Sequence, residues 1–272
     1  LTTDTLLPNR ISVSTWSLHR TLGKPTPYGP GGAPAASGGG LPLIELPARL
    51  AAFGIRTLEI CHFHLPRRDP AYLDELAAAL AGAGIELFSL LIDAGDMTDL
   101  DHAGRDLAWM AGWFEVAARL GAARARVSGG KSAPGEATLA ATVAGMRGLA
   151  DQSEANGLRL MTENWHKTLS TPAAVLHVLD SLEGRVGLCA DFGNWNGASK
   201  YADLEAIMPR AESCHAKMDV VADGGVDVTD FRRCVAITHA AGFTGPYTLI
   251  YDGQSSDEWS GLTQTRRLVE MG

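Results

Sequence analysis

The sequence predicts a single (β/α)8 barrel. One observation is a join that recurs five times, an alanine-rich helical stretch ending in glycine with an apolar run after it. Another is the alternation of eight strand-like runs with helix-like stretches over 272 residues, a length that suits one large α/β domain spanning 1–272. A third is the gathering of polar residues at one end of those runs.

The joins are Ala52-Phe53-Gly54-Ile55, Gly82-Ala83-Gly84-Ile85, Arg119-Leu120-Gly121-Ala122, Ala155-Asn156-Gly157-Leu158 and Ala240-Ala241-Gly242-Phe243. Glycine just past a helix accepts the left-handed conformation that closes its last turn, so each join reads as helix stop and strand start. The glycines are 30, 37, 36 and 85 residues apart, and the last gap holds two units, with Val186–Asp191 as the extra strand. Strands are therefore expected near Ile11–Trp16, Thr57–Cys61, Glu86–Leu91, Ala123–Ser128, Arg159–Glu163, Arg185–Asp191, Glu212–Lys217 and Tyr247–Tyr251. Between them, Leu73–Ala83 and Asp106–Leu120 carry apolar residues at helical spacing. Parallel strands need crossover helices, and eight such units close a barrel. The alternative, a doubly wound open sheet, usually announces a glycine-rich turn after its first strand, and Ser14–His19 has none.

One segment breaks the rhythm. Residues 22–42 hold seven glycines and five prolines between the first strand and the first helix. This reads as a surface insertion or as a lid over the barrel mouth, where βα loops lie.

Composition narrows the function classes. With 46% hydrophobic and 20% charged residues the chain is globular, not disordered. The net charge, 23 − 31 = −8, argues against a nucleic-acid partner, because gripping phosphates takes a basic surface. No apolar run approaches the ~20 residues that span a bilayer, and residues 1–10 lack signal-peptide character. Cys61, Cys189, Cys214 and Cys234 form no CxxC pair and read as reduced thiols of a cytoplasmic protein. Without a P-loop or dinucleotide fingerprint, ATP and NAD are not expected; Ser128-Gly129-Gly130-Lys131 reads as a phosphate approach or a tight turn. Homo-oligomerisation is left open.

In a barrel, chemistry sits where the strands end. Those ends carry Trp16 and His19, His62 and His64, Asp93 and Asp96, then Ser128–Lys131, Glu163-Asn-Trp-His166, Asp191-Phe-Gly-Asn194, His215-Ala-Lys217-Met-Asp219 and Tyr251-Asp252-Gly253. Read singly, an Asp there is a helix cap and a His is structural. As a set on three successive strands, Glu163, Asp191 and His215 make a first shell for Mn²⁺, Mg²⁺, Co²⁺ or Zn²⁺. Lys217 shares the face of His215 and either holds a substrate oxyanion, acts as an acid, or pairs with Asp219 or Asp191. His62 and His64 share a face and are candidates to bind substrate or metal. Trp16, Trp165 and Trp195 are candidates to pack on sugar faces, or are core.

At these residues the sequence resembles the xylose isomerase-like TIM-barrel superfamily, which includes sugar isomerases, ketose 3-epimerases, inosose dehydratases and endonuclease IV-type repair enzymes. The motifs are Leu58-Glu-Ile, Glu163-Asn, Asp191-Phe-Gly-Asn194 and His215-x-Lys217-x-Asp219. The resemblance implies metal ligands Glu, Asp, His and Glu on strands five to eight. The first three carry over to Glu163, Asp191 and His215. The fourth position is Ile250, which binds no cation, and Asp252 lies about 7 Å further along at ~3.3 Å per residue. His62, His64 or water are left to complete the shell. The expected function is a divalent-metal-dependent isomerase or epimerase-like enzyme that enolises a sugar, keto-sugar or cyclitol. Glu163 and Lys217 are its catalytic residues, and Trp16, His62, His64, Asn194 and Asp252 bind substrate. A lyase or dehydratase with a three-ligand metal, or a metal-free sugar-binding homologue, are the alternatives. Eight histidines and the acidic charge weigh against the repair class.

Overall fold

In a computed structural model that describes residues 10–34, 39–218, 226–253 and 255–271, eight parallel strands close into one barrel in chain order. They are β1 Ile11–Ser14, β2 Thr57–Cys61, β3 Glu86–Ile92, β4 Arg124–Val127, β5 Arg159–Glu163, β6 Val186–Asp191, β7 Ala211–Lys217 and β8 Tyr247–Ile250. Closure is made by β1, which pairs with both β2 and β8. The expected strands all form, with ends moved by one or two residues. At β1 the strand stops at Ser14, whose side chain accepts the Trp16 N–H and starts a 3-10 turn over Thr15–Leu18.

The crossovers are α1 Leu46–Ala52, α2 Pro70–Ala83, α3 Ala103–Ala111, α4 Phe114–Arg119, α5 Glu136–Ala155, α6 Pro172–Ser181, α7 Lys200–Ile207, α8 Val228–Ala240 and α9 Glu258–Met271. All five joining glycines hold positive φ, from 64° at Gly84 to 81° at Gly54. Helix α2 starts earlier than the apolar spacing indicates, because Asp69 caps it through the Tyr72 N–H and Pro70 fits the first turn. The single helix expected over Asp106–Leu120 is two, α3 and α4. The chain turns at Gly112, where the Trp113 N–H bonds to the Met110 carbonyl and the indole becomes fully buried.

Outside the strands, Val13, Leu58, Ile60, Leu90, Val127, Leu188 and Leu249 are buried among the helices' apolar faces. Each such side chain contributes about 1.5–3 kcal/mol. Inside, the lower end is closed by charge: Arg10 pairs with Glu86 at 2.8 Å, and Arg124 and Arg159 flank Glu212. No described helix is long and apolar enough to cross a membrane. All four cysteines are buried as thiols.

The long loop leaves β1 through a closed neck. The Leu41 N–H bonds to the Thr21 carbonyl at 2.8 Å. Gly40, at φ +147°, crosses Gly23 so closely that a Cβ would stand 2.5 Å from its nitrogen. Buried Glu258 at the start of α9 accepts from the Arg20 N–H, the Thr21 N–H and the Thr21 hydroxyl at 2.8–2.9 Å. Beyond the neck, Pro27 turns back to the barrel mouth, where it forms part of a cavity wall. Residues 35–38 of the loop, and Asp219 with the pairing expected of it, lie outside the described residues.

Candidate functional site

A cavity of about 310 Å³ opens at the C-terminal ends of the strands. Its floor is organised around His215 of β7. The ring Nε2 lies 2.8 Å from Glu59 Oε2, which reaches across from β2, while Nδ1 faces Glu163 Oε2 at 3.4 Å and Asp191 Oδ2 at 3.6 Å. Burial alone would lower the pKa of this imidazole. The surrounding Cys189, Glu163, Glu59 and Asp191 outweigh burial and hold the pKa well above 6.5.

Glu163 ends β5. Its Oε1 accepts from Asn194 Nδ2 at 2.6 Å, and its Oε2 stands 3.2 Å from Arg126 Nε. That approach is out of line, so Oε2 remains a buried atom without a hydrogen-bond partner. Burial raises the Glu163 pKa, but Arg126, His215 and Asn194 together bring it down to about 2. Arg126, in the middle of β4, also meets Asp93 Oδ1 at 2.6 Å. Trp165 lies over its guanidinium, 5.3 Å from ring centroid to Cζ.

Asp191 ends β6 and is both a cap and a site residue. Oδ1 accepts from the Gly193 and Asn194 N–H groups at 2.7 Å each, which leaves Oδ2 toward His215. The Asn164 side chain braces the Asp191 backbone, accepting from its N–H and donating to its carbonyl. Lys217 stands at the rim, 3.3 Å from Asp252 Oδ2. Burial lowers the Lys217 pKa, but Asp191, Asp252 and Glu163 raise it further, so Lys217 is a cation.

The cavity therefore brings together seven residues expected from sequence: Glu163, Asp191, His215, Lys217, Asn194, Asp252 and Trp16, with Trp165 beside them. Ile250 lines it where the fourth ligand was sought. His62 and His64 are not brought there. They wind into a 3-10 turn, so strand alternation does not apply, and the intervening Phe63 faces the cavity instead. His62 donates from Nε2 to the Tyr28 carbonyl at 2.8 Å and accepts the Asp93 N–H at Nδ1, which occupies both nitrogens. His64 bonds to Thr15 Oγ1 at 2.9 Å and to His19 Nδ1 at 3.1 Å. Both histidines brace the base of the long loop. Trp195 is buried, its indole N–H on the Leu169 carbonyl.

The Ser128–Lys131 turn is tight for packing reasons. Gly130, at φ +123°, sits where a Cβ would meet Thr98, and the Lys131 N–H is already directed at Asp96 and Thr98.

Sequence reasoning placed Asp93 at a strand end and Glu59 in the Leu58-Glu-Ile motif without giving either a role, and it missed Arg126 and Cys189 as members of the site. The available signal was a charge in mid-strand: Glu59 in Thr-Leu-Glu-Ile-Cys and Arg126 in Ala-Arg-Val are buried, and a buried charge needs a partner.

The donors suit a divalent cation. Among the described residues, Glu163, Cys189 and His215 each offer a ligand atom within 4.8 Å of the others. Glu163 Oε2 is buried and unsatisfied, and Glu59 fixes the imidazole through its other nitrogen, an arrangement typical of metal-binding histidines.

The profile of the xylose isomerase-like TIM barrel family matches residues 47–268. No curated protein matches the sequence. Among solved structures, a xylose isomerase domain protein from Planctomyces limnophilus superposes with a TM-score of 0.71 at 13% identity, covering 97% of this chain and 96% of that one. A xylose isomerase-like TIM barrel protein from Mycobacterium smegmatis, in complex with magnesium, gives 0.68 at 16% identity over 97% and 96%. The apo form of 3-keto-D-glucoside 4-epimerase from E. coli gives 0.67 at 12% identity over 97% and 100%. At these identities the likeness is one of fold.

Proposed function

The chain belongs to the xylose isomerase-like TIM barrel family, and on that premise we propose that it is a divalent-metal-dependent isomerase that enolises a small polyhydroxylated carbonyl compound, a sugar, keto-sugar or cyclitol. The observation that carries this reading is the convergence of Glu163, Asp191, His215 and Lys217, from three successive strands, on one cavity at the barrel mouth. The magnesium complex and the sugar epimerase among the fold relatives support the class of chemistry.

A bound divalent cation supplies polarisation of a carbonyl and its neighbouring hydroxyl. Glu163 and His215, with Cys189 or Asp191, are the residues that would hold it. Glu163 is ionised at neutral pH and is the group that takes the proton from the carbon beside the carbonyl. Lys217 stays charged and holds the oxygen on which negative charge develops. Asn194 fixes the Glu163 carboxylate through its 2.6 Å hydrogen bond. Trp16 and Trp165 form walls against which sugar faces pack.

Ile250, in the place where a second acid/base carboxylate was sought, has no group to give or take a proton. A proton removed by Glu163 therefore returns on the same face, which suits isomerisation. The same residue also favours a second reading, one-base elimination of water from the same substrates.

Incubation of metal-loaded protein with keto-sugars and cyclitols in D2O, followed by NMR, tests this. Deuterium is expected at the carbon beside the carbonyl, with a loss of about 100-fold or more in Glu163→Gln. A new vinylic signal would assign elimination. A sugar that raises the melting temperature yet returns undeuterated and unchanged would overturn both readings in favour of simple binding.

A further inference from the structure

We propose that Cys189 is a metal ligand in this site and that the cation it selects is thiophilic, Zn²⁺ or Co²⁺ rather than Mg²⁺. This inference rests on the metal-binding part of the reading above, not on the reaction.

The position of Cys189 follows from the strands. It lies two residues before Asp191 on β6, so both side chains point to the same face, one below the other. Across the ladder its backbone is in register with Glu163 of β5. The sulfur thus sits one step deeper in the barrel than the Asp191 carboxylate and directly beside the Glu163–His215 pair. Beneath it are Phe88 and Met161, with which it forms a small apolar cluster, so the site is dry on that side. Glu163, Cys189 and His215 are 4%, 2% and 4% exposed.

Three further features favour sulfur over a set of oxygens. Ile250 removes the oxygen ligand expected from β8. One oxygen of Asp191 is committed to the Gly193 and Asn194 N–H groups. Arg126 places a positive charge 3.2 Å from the Glu163 carboxylate, and a thiolate supplies the negative charge that a dication beside a guanidinium requires. Mg²⁺ calls for near-octahedral oxygen coordination, whereas one nitrogen, one sulfur and one carboxylate oxygen with an open fourth position match tetrahedral Zn²⁺ or Co²⁺. As the metal–sulfur bond forms, the thiol proton passes to the buffer and no electrons are transferred.

The test is cobalt loading of the full chain, read by absorption and by elemental analysis. Wild type is expected to bind cobalt near one equivalent with a sulfur-to-cobalt charge-transfer band in the near ultraviolet. Cys189→Ser is expected to lack that band and to bind cobalt about tenfold more weakly or worse. Cobalt bound without the band, a band that survives in Cys189→Ser, or no uptake of cobalt or zinc would each overturn the proposal. X-ray absorption of the zinc-loaded wild type provides a measurement independent of the variant's folding. A sulfur scatterer at ~2.3 Å is expected, and a shell of nitrogen and oxygen alone overturns the proposal. Failure of the deuterium-exchange test leaves these spectra untouched, and oxygen-only ligation leaves that exchange untouched, so the two readings fail separately.

Discussion

His64 sits beside the site without entering it. Its Nδ1 lies 2.9 Å from the Thr15 hydroxyl, whose oxygen accepts the Cys61 N–H, and its Nε2 lies 3.1 Å from His19 Nδ1. Burial, then the neighbouring His19 and His62, push the His64 pKa down to about 3 from 6.5. A histidine with a depressed folded pKa binds its proton more readily in the unfolded chain. Its contribution to stability is therefore constant above pH 6.5 and declines below it, by up to about 1.4 kcal/mol per pH unit, until pH falls to about 3. His64→Gln removes that slope, so urea unfolding at pH 7 and pH 5 should show a smaller acid loss in the variant than in wild type. Equal losses would mean that other groups set the acid limb. Why His64 was misplaced from sequence is physical. Face-sharing at i and i+2 assumes a strand, and the chain had already turned into a 3-10 helix one residue after β2. Glu163, Asp191 and His215 were legible because each is the last or nearly last residue of a recognisable strand. Glu59 and Arg126 were not, since a charge amid apolar residues does not say which distant strand will neutralise it.

Glu258 decides at the level of elements whether the long loop stays attached to the barrel. This carboxylate, 2% exposed, is the acceptor for two backbone N–H groups and one hydroxyl of Arg20 and Thr21, and Arg20 adds a carbonyl contact to Gly253. Glu258→Gln turns one acceptor oxygen into a donor facing other donors. We expect it to lower stability by about 2–4 kcal/mol and to expose the 22–42 segment to limited proteolysis. Unchanged stability and an unchanged cleavage pattern would show that the neck is held by Gly40 and Leu41 alone. The loop's Gly/Pro content marked it as an insertion, yet nothing in it announced that α9, more than 200 residues away, supplies its anchor. Helix joins were easier to read because they are local: each glycine with φ near +70° acts on its own turn. The break between α3 and α4 escaped the apolar spacing, because burial of Trp113 is a demand of the tertiary core.

For the molecule as a whole, closure of the barrel turns eight distant strand ends into one charge system, and Ile250 is the place where that system lacks a carboxylate. Its backbone is in register with Lys217 and its side chain, 5% exposed, lines the cavity. Asp252 does not substitute for it, because its side chain is 44% exposed and pairs with Lys217 at the rim. Installing the missing carboxylate as Ile250→Glu places a charge within the ring formed by Glu163, Asp191 and His215. Without metal, the variant should lose about 1–3 kcal/mol of stability, since a buried carboxylate is left short of partners. With Mn²⁺ the loss should reverse, and Mn²⁺ should bind at least about tenfold more tightly than to wild type, a coupling read directly from the shift in melting temperature with metal concentration. Zn²⁺ should gain less, because its shell in wild type already includes the Cys189 sulfur and the added hard oxygen favours the harder ion. An equal gain for both ions would place the new carboxylate outside the first shell. No gain for either would mean that the cation lies deeper than the plane of the β8 terminus, on the Cys189 side of Glu163 and His215.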